Sequence, residues 1–246
     1  MDKQRVRIAA IADLHCSRTS QGLLQPLLAQ AVASADILVL AGDLTDHGLP
    51  EEAQVLIREL GGPKLPVLGV LGNHDFHGGQ QVELVRIFAA AGIQILDGDN
   101  CEVLGVGFAG VKGFGGGFGR HTLEAWGEDG IKKFVYESVE EALKLEKALA
   151  RLDADQRIAV LHYSPVESTV VGEPPPIFPF LGSSRLEEPL NRYAVTTVIH
   201  GHSHGGSPEG RIVSGAPVYN VAMPVLRRAY PDRPSFRLIE VNSEAG

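Results

Sequence analysis

Residues 37–46 read Ile-Leu-Val-Leu-Ala-Gly-Asp-Leu-Thr-Asp. An unbroken run of five apolar residues is the pattern of a strand buried on both faces, as in a parallel sheet. The glycine that ends the run lets the backbone turn sharply, and carboxylates follow at Asp43 and Asp46. The arrangement recurs on either side: Val6–Ala12 runs into Asp13-Leu14-His15, and Val67–Leu71 into Gly72-Asn73-His74-Asp75. Helical stretches lie between and after these runs, over about Leu27–Ala33, Glu51–Leu60 and Gln81–Ala91. Pro26 suits a first helical turn, and Glu51 and Glu52 behind Pro50 put acids at the positive end of a helix dipole. The β-α-β-α-β alternation predicts an α/β fold with a mainly parallel sheet covered by helices.

Further along, the alternation loosens. Residues 101–119 hold one apolar strand and, between Gly105 and Gly119, eight glycines. Ile131–Leu152 has the period of a long amphipathic helix, its wet face carrying Glu137, Glu140, Glu141, Lys144, Glu146 and Lys147. Arg157–Leu161 and Thr196–Ile199 read as further buried strands, and Val218–Val221 and Phe236–Val241 as an antiparallel finish. Residues 163–183, with Pro165, Pro174, Pro175, Pro176 and Pro179, predict a long irregular segment, and loops of that length in a compact domain are often functional. With no internal repeat and no Ser/Gly linker, the expectation is one domain over residues 1–246, with pocket loops at about 105–130 and 163–185.

The 246 residues are enough for a substantial core, and 44% hydrophobic with 21% charged residues is ordinary globular usage. The net charge of −8 argues against a broad nucleic-acid or membrane-binding surface, because phosphate backbones are held by clustered Lys and Arg. Two cysteines, Cys16 and Cys101, suit reduced thiols and a cytoplasmic setting. The apolar stretch Ile8–Ala12 behind Lys3, Arg5 and Arg7 is too short for a signal peptide or a membrane span. The literal Gly-x-Gly-x-x-Gly over Gly105–Gly110 fails as a dinucleotide fingerprint, because the glycine-rich stretch behind it cannot open a helix. The Pro-x-x-Pro spacing in Pro174–Pro179 reads as a stiff loop rather than a docking peptide.

Nine histidines is the unusual count, and their placement carries the chemistry. The run Arg157–Leu161 ends in His162, and Thr196–Ile199 ends in His200-Gly201-His202-Ser203-His204. Ligands of open α/β sheets bind outside the carboxyl ends of the strands, so these side chains are expected to converge on one edge. In an extended chain, Asp-x-His and His-x-His put two side chains on one face. Mixed imidazole and oxygen donors suit Mn, Fe or Zn, whereas all-oxygen sets suit Ca or Mg.

Taken in order, Asp-x-His, Gly-Asp-x-x-Asp, Gly-Asn-His-Asp, His and Gly-His-x-His resemble the motif blocks of the calcineurin-like metallophosphoesterases, over residues 13–204. The resemblance implies an αββα sandwich, two facing mixed β-sheets flanked by helices, with the metal site at the carboxyl ends of the strands. It implies two divalent ions: one held by Asp13, His15, Asp43 and His204, the other by Asp43, Asn73, His162 and His202, with Asp43 bridging. It further implies a phosphoester hydrolase in which a metal-bridging hydroxide attacks phosphorus. His74 would act on the leaving oxygen, and Asp75 would orient His74. Asp46 would orient a ligand or strand-end backbone, or, like Asp75, cap a nearby helix. Arg120 and His121, on the glycine-rich loop, are candidates to touch substrate, and His200 is either support for the ligands or plain structure. His47 and His77 read as rim residues.

Gly42–Ala53, GDLTDHGLPEEA, looks like the second block of the branch that includes bacterial cyclic-nucleotide phosphodiesterases. The expected activity is therefore a phosphodiesterase on a small-molecule phosphoester. A phosphomonoesterase or pyrophosphohydrolase would use the same residues. A non-catalytic interaction scaffold would be expected to have lost ligands, and all are present. A metallo-β-lactamase-type hydrolase would need His-x-His-x-Asp-His, which the sequence lacks.

Overall fold

The computed structural model describes residues 3–62 and 64–244. The strands are β1 (Lys3–Ile11), β2 (Ile37–Ala41), β3 (Val67–Val70), β4 (Ile93–Ile95), β5 (Asp99–Val103), β6 (Val106–Gly110), β7 (Arg157–Val160), β8 (Thr197–His200), β9 (Glu209–Arg211), β10 (Pro217–Asn220) and β11 (Arg237–Glu244). The helices are α1 (Gln25–Ser34), α2 (Pro50–Leu60), α3 (Asn73–His77), α4 (Gln81–Ala90), α5 (Asp129–Ala150), α6 (Phe178–Leu181), α7 (Glu187–Arg192) and α8 (Met223–Ala229).

Two mixed sheets form, ordered β11-β1-β2-β3-β4 and β5-β6-β7-β8-β10-β9. The first is parallel from β1 to β4 with antiparallel β11 at one edge, and the second is parallel from β6 to β10 with antiparallel β5 and β9 at its two edges. The expected antiparallel finish holds for β11, which pairs with β1, whereas β10 lies parallel to β8 and antiparallel only to the short β9.

Strand alternation explains the layering. Val6, Ile8, Ala10 and Ala12 pack inward against Phe108, Ile158, Val160 and Ile199 of the other sheet. Ala9 and Ile11 point outward to Leu28, Leu56 and Leu84 on α1, α2 and α4. On the far side, Ala109, Ala159 and Val198 meet Leu145, Leu149 and Leu190 of α5 and α7. The result is the αββα sandwich, helices covering both outer faces.

Register brings the chemistry to one edge. Ile11 pairs with Leu40 and Ala41 with Val70, so the residues after β1, β2 and β3 emerge side by side. The second sheet arrives at the same edge: Ala12 N–H donates to Val221 C=O at 3.0 Å and Met223 N–H to Ala12 C=O at 3.0 Å, joining the end of β1 to the segment after β10. The edge is a seam between the two sheets.

Candidate metal centre

At this seam the backbone leaves regular geometry. Asp13, His15, Asp43 and His202 have φ of 59°, 43°, 49° and 69°, left-handed conformations that cost a non-glycine residue about 1–3 kcal/mol each. Ligand pairs two apart therefore converge by left-handed turns, not by the alternation of an extended strand. Close packing at the strand ends requires glycine. A Cβ on Gly42 would enter the His162 ring, and one on Gly72 would meet the Asp43 carboxylate and lie 2.8 Å from His162 Cε1.

Three groups of side chains have donor atoms within 4.8 Å of one another: Asp13, His15 and His204; Asp43, His162 and His202; and His15, Asp46 and His74. In the first, His204 Nε2 lies 2.7 Å from Asp13 Oδ1. His15 Nε2 lies 3.7 Å from Asp43 Oδ2 and 4.0 Å from Asp13 Oδ1. In the second, His162 Nε2 faces Asp43 Oδ1 at 3.3 Å and Asn73 Oδ1 at 3.0 Å, while its Nδ1 bonds Ala41 C=O at 3.0 Å. His202 turns Nε2 to Phe180 C=O at 3.1 Å, and its backbone N–H donates to Asp13 Oδ2 at 3.0 Å. Asp13 and Asp43 are almost wholly buried.

The donors fit a cation. His15 Nε2 is buried with no hydrogen-bond partner among the described residues. It faces two carboxylates at separations too long for hydrogen bonds and suited to an ion held between them. The nitrogen and oxygen donor set matches divalent transition metals.

The electrostatics follow from burial and the facing charges. Burial alone would raise the Asp43 carboxyl, but the His162 ring and the His74 N–H reverse it and hold the group below the usual carboxylate range. Burial opposes charge on His162, yet the Asp43 and Asp13 carboxylates and the Ala41 carbonyl raise it to about 9. Burial lowers His15 against the pull of Asp43 and Asp13, and burial with the neighbouring His162 lowers His202 to about 4. The hydrogen bond to Asp13 raises His204 despite its burial.

His74 donates its backbone N–H to Asp43 Oδ1 at 2.9 Å, and its Nδ1 bonds the Asp46 carbonyl oxygen at 2.8 Å, leaving Nε2 directed away from this anchor. Its ring meets His15 edge-on at 4.3 Å. Asp46 also holds His15 Nδ1 at 3.4 Å and His47 Nδ1 at 3.2 Å, so it orients several imidazoles at once.

Asp75 does not hold His74, contrary to expectation. It is fully buried and accepts from the N–H groups of Gly72 (2.8 Å), Leu44 (3.1 Å) and Thr45 (2.8 Å), and from the Thr45 hydroxyl. Burial raises its carboxyl to about 6 while the Gly72 and Thr45 donors pull it back. Its place is to tie the loop after β2 to the loop after β3.

His200 is fully buried between Gly201 C=O (2.8 Å) and Thr169 Oγ1 (2.9 Å), and burial lowers it to about 4. It supports the ligand loop from beneath. Arg120 and His121 are exposed and contact each other at 3.2 Å, not the ligand cluster. The glycine-rich and proline-rich loops are stitched together: Gly116 N–H reaches Pro179 C=O at 2.6 Å, Gly117 N–H reaches Gly182 C=O at 2.9 Å, and Ser184 N–H returns to Gly117 C=O at 3.1 Å. Through Phe180 C=O this pair of loops buttresses His202.

Other participants escaped the sequence reading. The Tyr163 ring lies 4.3 Å from that of His202. Asn220 Nδ2 donates to Ser203 C=O at 2.8 Å, and Arg228 donates to the carbonyls of His204 (2.9 Å) and Gly206 (2.8 Å). Asn220 ends a strand, as the metal-binding blocks do, and that position is the one signal that marks it.

Among the described residues no helix is long and apolar enough to cross a membrane, and Cys16 and Cys101 are free thiols. Among solved structures the fold is similar to phosphopantetheinyl hydrolase (PptH) from Mycobacterium tuberculosis, with TM-score 0.67 and 16% identity over 94% of this chain and 95% of that one. It is also similar to the protein TT1561 of Thermus thermophilus, with TM-score 0.57 and 16% identity over 97% and 99%. A putative 5'-nucleotidase from Staphylococcus aureus matches with TM-score 0.52 and 15% identity over 88% of this chain and 48% of that one. At these identities the likeness is one of fold. No curated protein sequence matches the chain. The family model of the calcineurin-like phosphoesterases matches residues 6–206, a span that contains every ligand block at the seam, and the chain belongs to that family of metal-dependent phosphoesterases.

Proposed function

We propose that the chain is a dinuclear-metal phosphohydrolase acting on a small-molecule phosphodiester. The observation that carries the reading is the buried His15 Nε2, without a hydrogen-bond partner among the described residues and facing the Asp13 and Asp43 carboxylates. In this reading Asp13, His15, Asp43 and His204 hold one ion, and Asp43, Asn73, His162 and His202 the other. Two such ions, Mn, Fe or Zn, acidify a water and neutralise the oxygens of an in-line displacement on phosphorus when bound.

The chain's own residues do the rest. His162 gives Nδ1–H to Ala41 C=O, which turns its Nε2 toward the centre, and His202 gives Nε2–H to Phe180 C=O, which leaves Nδ1 as its donor. Such outer hydrogen bonds fix tautomer and ring orientation. His74, with Nδ1–H held by the Asp46 carbonyl, presents Nε2 to the leaving oxygen, where it stabilises charge or delivers a proton. Asp75 is a positioning residue that holds the loops carrying Asp43 and Asn73 together.

The diester preference rests on the Gly42–Ala53 block, and the cytoplasmic location on the two free thiols. The test is metal analysis of the purified protein with hydrolysis of bis(p-nitrophenyl) phosphate and p-nitrophenyl phosphate under added Mn, Fe or Zn. The expected result is bound metal and faster turnover of the diester. No bound metal and no turnover of either ester overturns the reading, and faster monoester turnover overturns its diester part.

A further inference from the structure

Lys112, just past the end of β6, is only 7% exposed. Its ammonium donates to the Gly113 carbonyl at 2.8 Å and lies 4.8–5.4 Å from the ring centroids of Phe114, Phe76 and Tyr163. Among the described residues it makes no ion pair. The nearby carboxylates are otherwise engaged: Asp97 and Glu141 both hold Lys144, at 3.1 and 2.8 Å, and Glu141 also accepts from the Gly113 N–H. Aromatic faces attract a cation, but a buried charge without a counter-ion remains costly. Burial accordingly lowers the Lys112 ammonium from its ordinary range, with Glu141 opposing.

Lys112 borders a cavity of about 140 Å³ whose apolar walls include Phe76, Val82, Val85 and Ile95. Gln81 lines the same cavity, and its Oε1 is buried with no hydrogen-bond partner among the described residues. Phe76 follows His74 by two positions on α3, which directs the two side chains to opposite sides of the helix, so the cavity opens on the other side of α3 from His74, although the Lys112 C=O accepts from the His162 N–H at 2.9 Å. An ammonium without an ion pair and an acceptor without a donor thus flank one slot, apolar but for the Asp97 carboxylate that Lys144 holds, with room for about five water-sized groups.

We propose that this cavity binds a short-chain monocarboxylate, its carboxylate on Lys112 Nζ, its alkyl body against Val82, Val85 and Ile95, and a hydroxyl or N–H group on Gln81 Oε1. The ligand supplies the missing counter-charge and the missing donor together.

Calorimetric titration of the full metal-loaded chain with butyrate, 3-hydroxybutyrate and butan-1-ol tests it. Butyrate is expected to bind saturably, 3-hydroxybutyrate about fivefold tighter through its added hydrogen bond, and butan-1-ol about tenfold weaker or worse for want of charge. K112M, which keeps the length of the side chain among the rings, is expected to abolish butyrate binding. V82W, at a position 81% exposed, is expected to block the mouth without entering the core, and it serves where K112M fails to fold. No saturable butyrate binding overturns the proposal. So does butyrate affinity unchanged in K112M, which would place the carboxylate on the metal centre, or unchanged in V82W.

Discussion

Asp43 faces both ligand groups, with Oδ2 toward His15 and Oδ1 toward His162. Asp43→Ala is expected to abolish turnover and to reduce bound metal at both positions, read by elemental analysis; full activity in the variant would sink the proposed scheme. The His162–Asp43 pair makes a second prediction. With its ring raised to about 9 in the metal-free chain, His162 is charged at neutral pH, and a ligating imidazole must be neutral. Loading at pH 7 should therefore release a proton, and affinity should climb as pH rises toward about 9. Titration calorimetry in buffers of different ionisation heat measures this directly, and a proton count of zero would contradict it. At this scale the sequence disclosed which residue types meet, because five blocks at five strand ends share one edge. It misled on Asp75, since adjacent helical residues do not face each other, and a four-letter block cannot say which loop a buried carboxylate turns toward.

The elements were legible where they are long. The strands β1, β2 and β3 and the helices α2 and α5 lie within a few residues of the sequence reading, as their apolar periods dictate. The strand β4 has three residues and α8 seven, too few for a period to emerge, and the left-handed turns at Asp13 and His202 leave no compositional trace because neither is glycine. Inter-element ties were likewise invisible. Glu59 on α2 accepts from the N–H groups of Gly22, Leu24 and Gln25 at 2.6–2.9 Å, anchoring the start of α1. Burial would raise this carboxyl, but those donors outweigh it and lower it. A lowered carboxyl stabilises the fold above its ordinary range and ceases to do so as pH falls through its folded value. Glu59→Gln should therefore destabilise the chain by about 1–3 kcal/mol at pH 7, with the gap to wild type narrowing in acid, as denaturant melts at the two pH values would reveal. An equal gap at both would contradict it. Gly72→Ala should displace Asp43 and His162 and lower metal content while far-UV dichroism stays unchanged; retained metal would show that the strand end yields.

For the molecule as a whole, the charge of −8 counts acids that the proposed ions neutralise, and a bound ion dominates its local field. Chelation should accordingly lower the melting temperature and excess Mn restore it, since a ligand that binds only the folded state stabilises it by mass action; a melting temperature indifferent to chelator would mean the metals contribute nothing to the fold. The alternation of strands and helices made a parallel sheet covered by helices legible, whereas the second facing sheet was expected only from the family resemblance. The seam that joins the two sheets at one edge was not legible, because it rests on the hydrogen bonds of Ala12 with Val221 and Met223, between residues whose types announce nothing.

That seam also sets a clock. Asp13 and His204, partners at 2.7 Å, are 191 residues apart in the chain, and synthesis runs at about 5–20 residues per second. Until His204 is made, roughly 10–40 s after Asp13, a nascent chain carries at most three of the four donors proposed for the first ion, Asp13, His15 and Asp43. In the proposed scheme the donor set of that ion is therefore completed only late in synthesis.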